Sequence, residues 1–130
     1  MDSDSVKLGI IGLGRWSRVL TRAAQKSEKI EIVAGYSRSK EKRDAFQADF
    51  GVVSVEDPDS LFSNPEIKGV ILTVPNEQHL PVAEAVAKAG KHVYTEKPIA
   101  NTLESGLEIE SLQSRYGIHV MVGHSARLLK

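Results

Sequence analysis

The 130-residue sequence predicts an α/β fold, a doubly wound parallel sheet in a single domain, and three observations carry that expectation. Short apolar runs alternate with segments of helical periodicity from one end of the chain to the other. A glycine-rich turn joins the first apolar run to the first helix. A composition of 41% hydrophobic and 26% charged residues suits one core of ordinary size and leaves no room for a second. Strands that alternate with helices require right-handed crossovers, which give a parallel sheet covered on both faces.

Val6 to Ile11 is a short apolar run with the look of a buried strand, and Arg15 to Ser27 follows as a helix with Val19, Leu20, Ala23 and Ala24 at helical spacing. Ile30 to Tyr36 is again apolar and β-prone. Lys40 to Phe50 carries Ala45, Phe46 and Phe50 on one helical face before Gly51 stops it. A short strand over Val52 to Val55 leads to a small helix over Pro58 to Phe62, with Asp57 as its cap and proline in its first turn. The run GVILTV, residues 69 to 74, is the clearest buried strand, bracketed by Gly69 and Pro75. Pro81 sits early in the next helix, where its missing N–H costs nothing, and Val82, Ala83, Val86 and Ala89 supply the buried face up to Gly90. Lys91 to Thr95 is the next strand, Thr102 to Tyr116 a helix with Leu103, Leu107 and Leu112 on one face, and IHVMV (118 to 122) the last strand.

The bulk numbers exclude several classes. Seventeen basic residues balance seventeen acidic ones, so no overall field exists to hold a nucleic acid or an anionic membrane. With no cysteine, disulfides and thiolate metal sites are excluded, and four histidines without an H-x-x-x-H pair make no zinc centre. No metal is expected. No apolar run approaches the roughly 20 residues of a spanning helix, and Met1 to Ser5 lacks the basic start and apolar centre of a secretory signal, so the expected location is cytoplasmic.

The first turn reads Gly12-Leu13-Gly14-Arg15-Trp16-Ser17, or G-x-G-x-x-S, placed after the first strand and opening the first helix. Gly12 permits the tight turn, Gly14 lets a pyrophosphate approach the backbone, and position 17 needs only a small side chain for close helix–sheet packing. The helix behind the loop offers free N–H groups at Arg15 and Trp16 and the positive end of its dipole, a ready diphosphate site. The reader of the adenosine ribose is expected about 20 residues further on, at the end of the second strand. There the chain reads AGYSRSKEKR, with Ser37 where a carboxylate is common and Arg38 beside it. A 2′-phosphate would meet a hydroxyl and a planar guanidinium, with Lys42 close by, in place of a repelling anion. This favours NADP, with NAD as the alternative. A plainer reading makes Arg38, Lys40, Lys42 and Arg43 the wet face of a surface helix.

Residues 74 to 100, VPNEQHLPVAEAVAKAGKHVYTEKPIA, closely resemble the motif set of the Gfo/Idh/MocA oxidoreductases, the family of glucose-fructose oxidoreductase and inositol dehydrogenase. Pro75-Asn76, His79, the alanine-rich helix, Ala89 to Val93 and Glu96-Lys97-Pro98 all match. Met121-Val122-Gly123-His124, with Arg127 after it, looks like the family's exit from its nucleotide-binding domain. With the glycine loop, the resemblance spans nearly the whole chain.

The resemblance implies a Rossmann fold over residues 1 to 125, with 126 to 130 beginning the crossing to a second α/β domain that this chain does not contain. It implies that Thr73, Val74, Asn76 and His79 line the nicotinamide half of an NAD(P) cofactor. By the same match Glu96 lies near the nicotinamide ribose, and Lys97 is the catalytic lysine between that ribose and the substrate oxygen. The implied reaction is hydride transfer between NADP(H) and a sugar, cyclitol or related polyol or carbonyl substrate, with oligomers formed through the second domain. The expectation for the isolated chain is cofactor binding without turnover. Ser17 in place of the third glycine is harmless by size, and Ser37 in place of the acidic ribose reader shifts the cofactor choice. Two other readings stay open: a non-catalytic NADP-sensing member of the same family, and an interaction module with an empty glycine loop.

Overall fold

A computed structural model describes residues 5–73, 79–96 and 111–123, and within these it leaves out the side chains of Arg15, Trp16, His79, Leu80, Glu96, Met121 and Val122. The elements are β1 (Val6–Ile11), α1 (Arg15–Gln25), β2 (Ile30–Tyr36), α2 (Lys40–Phe50), β3 (Val53–Val55), α3 (Asp59–Phe62), β4 (Gly69–Leu72), α4 (His79–Lys88), β5 (His92–Glu96) and β6 (Val120–Gly123). Residues 111–116 are also helical. The six strands form one sheet in the order β3-β2-β1-β4-β5-β6, and every neighbouring pair is parallel. The predicted α/β class and parallel sheet are therefore present, and the strand order reverses between β1 and β4.

Strand periodicity divides the core between the two sheet faces. Ile10 packs with Leu8, Leu20, Phe46 and Ile71 under α1 and α2, whereas its neighbour Ile11 joins Leu61, Leu72, Val86, Val93 and Leu112 on the face of α3, α4 and residues 111–116. Each fully buried side chain of this kind contributes about 1.5–3 kcal/mol. Leu103 and Leu107 of the predicted last helix lie outside the described residues.

Two predicted helix faces are corrected. Val19 is 41% exposed and Ala23 only partly covered, while Ser17, Leu20, Thr21 and Ala24 are buried. Close packing at the loop fixes Ser17 against the sheet, and positions three, four and seven residues on then share its face, so the hydroxyl residues go inside. In α2, Phe46 is buried and Phe50 half-buried, but Ala45 faces solvent. In α4 the buried positions are Ala83, Val86 and Ala87, with Val82 and Ala89 half-buried.

Element ends move for identifiable reasons. The amides of Lys26 and Ser27 bond to the carbonyls of Ala23 and Ala24 at 3.1 and 2.9 Å, a tightened final turn that ends α1 at Gln25 and not at Ser27. The N-cap of α3 is Pro58 and not Asp57, whose carboxylate instead accepts from the Asp59 amide at 3.0 Å in the turn that leads into the helix at Asp59. β4 ends at Leu72, and Thr73 sends its amide to the Ile11 carbonyl at 2.9 Å; Val74 lies outside the described residues. β5 starts at His92 because Lys91 sends its amide back to the Val86 carbonyl at 3.2 Å, at the end of α4. Its buried ammonium donates to the carbonyls of Asn64 at 2.8 Å and Ile67 at 2.7 Å, and burial, then Lys68, pushes its pKa down. β6 starts at Val120 because the His119 amide donates to Nδ1 of His92 at 3.1 Å.

Candidate functional site

The place where the strand order reverses, at the carboxyl ends of β1 and β4, is where open α/β sheets form their ligand crevice. Gly12 and Thr73 face each other there. Gly12 has φ +97°, its amide donates to the Tyr36 carbonyl at 2.8 Å, and a Cβ on it would lie 2.7 Å from the Thr73 carbonyl oxygen. Only glycine suits that conformation and that space. The Thr73 hydroxyl donates to the Gly12 carbonyl at 2.6 Å, so the first glycine is locked to β4 as well as to β2.

Gly14 is the N-cap of α1 and has no side chain with which to cap it, and the first turn of α1 holds no acidic residue. The first-turn amides therefore lack an anionic partner from their own helix. Among the described residues a Cβ built on Gly14 meets nothing within 4 Å. The protein's own packing does not require glycine at this position, and a diphosphate approaching the backbone does. The uncapped, positive helix end and the space left over Gly14 by the described residues fit such a group. Ser17 is fully buried and its hydroxyl donates to the Gly14 carbonyl at 2.6 Å, a function that its small size alone did not announce. The Leu13 side chain points into the core against Gly35, so only its backbone belongs to the loop surface.

The predicted ribose reader forms the turn after β2. Ser37 accepts from the Ser39 amide at 3.2 Å, and Ser39 caps α2 by accepting from the Lys42 amide at 3.2 Å. The Arg43 guanidinium donates to the Ser37 carbonyl at 2.8 Å. In the sequence Arg43 belongs only to the alternative of a wet helix face, because its i+6 distance from Ser37 carries no pattern that would single it out. Arg38 and Lys42 are exposed, while Lys40 is paired with Asp44 at 2.8 Å. The turn thus presents cations and hydroxyls on a fixed backbone, on the same sheet edge as the glycine loop.

α1 and α2 are clasped together, which fixes the glycine loop relative to the turn after β2. Arg18 pairs with Asp49, the guanidinium groups of Arg18 and Arg22 lie 5.1 and 5.5 Å from the Phe50 ring centroid, and Gln25 donates to the Phe50 carbonyl at 2.9 Å. An open cleft of about 650 Å³ lies at the other end of these helices, lined by Gln25, Ile30, Phe50 and Val52. It is far from the glycine loop along β2.

The remaining expected site residues are placed only in part. His79 is the first residue of α4 and Glu96 the last of β5, paired with Gly123. Their backbones stand at the carboxyl end of the sheet and at the start of a helix behind it. Arg15 and Trp16 open α1. Val74, Asn76 and Lys97 lie outside the described residues, as do Pro75, Pro98, His124 and Arg127. Among the described residues no group of three or more His, Asp or Glu side chains could hold a metal ion.

Residues 6–124 match the Gfo/Idh/MocA family, described as an oxidoreductase family with an NAD-binding Rossmann fold. A 1-carboxy-3-chloro-3,4-dihydroxycyclohexa-1,5-diene dehydrogenase of Comamonas testosteroni is 32% identical over 92% of this chain and 30% of its own length. The crystal structure of a Desulfitobacterium hafniense protein, proposed to be an NADPH-dependent oxidoreductase, superposes with a TM-score of 0.89 at 37% identity, covering 95% of this chain and 36% of that one. Biliverdin reductase from Synechocystis, solved with biliverdin and NADP+, gives a TM-score of 0.83 at 29% identity, covering 95% and 39%. The chain therefore spans about a third of the length of the relatives it matches.

Proposed function

The chain belongs to the Gfo/Idh/MocA oxidoreductase family, and from that membership we propose that it is the nucleotide-binding part of an NADP-dependent oxidoreductase acting on CH–OH groups of a sugar, cyclitol or related polyol. The observation that carries the reading is the pairing of a clear Gly14, with an uncapped α1 behind it, and a cationic turn at Arg38 on the same sheet edge. The first suits a diphosphate and the second a 2′-phosphate. The alcohol-bearing ring in the name of the Comamonas relative supports a substrate of this class, and the NADP+ in the Synechocystis structure supports the cofactor.

In this reading the bound nicotinamide supplies the hydride chemistry. The chain's own residues bind and orient it: loop amides at Gly14 to Trp16 hold the diphosphate, and Ser37, Arg38 and Lys42 hold the phosphorylated ribose. Thr73, Val74, Asn76 and His79 flank the nicotinamide half. Lys97 would donate a hydrogen bond to the substrate oxygen as charge develops on it, and Glu96 would orient the ribose. Turnover requires a substrate pocket built by residues beyond these 130. No helix among the described residues is long and apolar enough to cross a membrane, and a cytoplasmic setting completes the proposal; a tagged full-length protein found in the membrane fraction would remove that part.

Calorimetric titration of the 130-residue chain with NADPH and NADH tests the reading, with Arg38→Ala as control. NADPH is expected to bind about tenfold or more tightly than NADH, and the variant to lose that preference, as a charge-assisted phosphate contact of about 1.5–3 kcal/mol implies. Equal binding of both cofactors would assign the site to NAD and deprive Arg38 of its role. No binding and no thermal shift with either would leave an interaction module as the better description.

A further inference from the structure

Ser17 and Thr73 lie on different elements, yet each places its hydroxyl 2.6 Å from a carbonyl oxygen of the same loop, Ser17 on Gly14 and Thr73 on Gly12. The Thr73 hydroxyl also lies 3.2 Å from the Ile11 carbonyl. The Gly12 amide is spent on Tyr36. The Gly12 and Gly14 carbonyls are therefore tied back to the protein. An incoming diphosphate is repelled by outward carbonyl lone pairs and attracted by outward amides, so which of the two faces the crevice decides whether the loop attracts an anion. A loop held in one conformation before binding also has less disorder to lose on binding.

We propose that Ser17 and Thr73 are positioning residues for a dinucleotide diphosphate: their hydroxyls latch the Gly14 and Gly12 carbonyls and set the loop with its amides toward the ligand. The inference rests on the dinucleotide reading above and assigns to neither hydroxyl a contact with the diphosphate. It explains two local features together. A Cβ on Gly12 would lie 2.7 Å from the Thr73 carbonyl oxygen and 2.9 Å from its hydroxyl, so the residue whose close approach excludes a side chain at Gly12 is also the one that makes the latch. Position 17 holds a hydroxyl although it is fully buried, where an unlatched hydroxyl would carry a desolvation penalty.

The test titrates the 130-residue chain and the variants Thr73→Val, Thr73→Ser and Ser17→Ala with NADPH, NADH and adenosine 2′-monophosphate. Valine keeps the shape of threonine and removes the hydroxyl; serine keeps the hydroxyl. Thr73→Val and Ser17→Ala are each expected to weaken both dinucleotides about tenfold, one well-made hydrogen bond's worth, with the NADPH-to-NADH ratio unchanged. Adenosine 2′-monophosphate has no diphosphate, and its affinity should stay as in the wild type. Thr73→Ser should bind within about twofold of wild type. Wild-type dinucleotide affinity in both hydroxyl-less variants overturns the proposal, and so does an equal loss for the monophosphate, which marks general damage to the fold. If Thr73→Val does not fold, the Ser17→Ala and Thr73→Ser pair decides. A wild-type chain that binds no dinucleotide refutes the parent reading, which separates that failure from failure of the latch alone.

Discussion

The Thr73 hydroxyl lies 2.6 Å from the Gly12 carbonyl oxygen, and a methyl group on Gly12 would come within 2.7 Å of the Thr73 carbonyl oxygen. The first loop glycine and the end of β4 are thus fitted to each other, at the seam where the strand order reverses. Gly12→Ala should lower unfolding free energy by about 2–4 kcal/mol, combining the cost of a positive φ with the clash. Urea denaturation read by circular dichroism measures it; a loss below about 0.5 kcal/mol would mean that the seam yields easily.

Gly14 should behave in the opposite way. Nothing lies within 4 Å of a Cβ placed on it, so Gly14→Ala is expected to fold with stability within about 0.5 kcal/mol of the wild type. The same methyl stands where a diphosphate would approach, and binding of NADPH and NADH should fall at least about tenfold. Undiminished binding in a folded variant would place the ligand elsewhere.

Arg43 supports the ribose turn through the Ser37 carbonyl, 2.8 Å from its guanidinium. Arg43→Gln should reduce NADPH affinity about fivefold while changing NADH less than about twofold, because only a 2′-phosphate depends on how Ser37 and Arg38 are presented. Parallel titrations give the ratio. An unchanged ratio would reduce Arg43 to a surface charge on α2.

The start of the β5–β6 pairing should be sensitive to acid. Nδ1 of His92 accepts from the His119 amide at 3.1 Å, which only the unprotonated nitrogen can do, and the two rings are 5.1 Å apart. Burial, then His119, lowers the His92 pKa below its ordinary 6.5. The unfolded chain then binds the proton first. The contribution of His92 to stability is complete above 6.5 and is lost as pH falls from there through the lowered folded value. Comparing unfolding free energies at pH 7.5 and 5 in the wild type and in His92→Gln isolates it: the fall with acid should be smaller in the variant. An equal fall in both would assign the acid sensitivity to carboxylates elsewhere.

Much of this was legible in the sequence because it depends on period and punctuation. The alternation of VKLGII, IEIVAGY and GVIL with helical segments is enough to give a parallel sheet, and Gly51 and Gly90 marked helix ends where the backbone does turn left-handed, at φ +68° and +79°. The site was legible where a residue type is forced by the backbone, as at Gly12. It was not legible where a polar side chain serves a distant carbonyl. Ser17 passed for a small residue, Arg43 for a solvated charge and Lys91 for a strand residue, because a hydrogen bond to backbone leaves no partner residue type in the sequence. The facing of α1 failed for a related reason: counting only apolar positions as buried favoured Val19, whereas the loop fixed Ser17 inward and carried Thr21 with it.

The most direct test of a dinucleotide seat between β1 and β4 is amide chemical-shift mapping of the 130-residue chain as NADPH is added. Binding there predicts the largest changes at Leu13, Gly14 and Thr73 and at the Ser37–Arg38 turn, with little change at Gln25, Ile30 and Phe50 around the opposite cleft. Changes concentrated on that cleft, or none at the glycine loop, would contradict it.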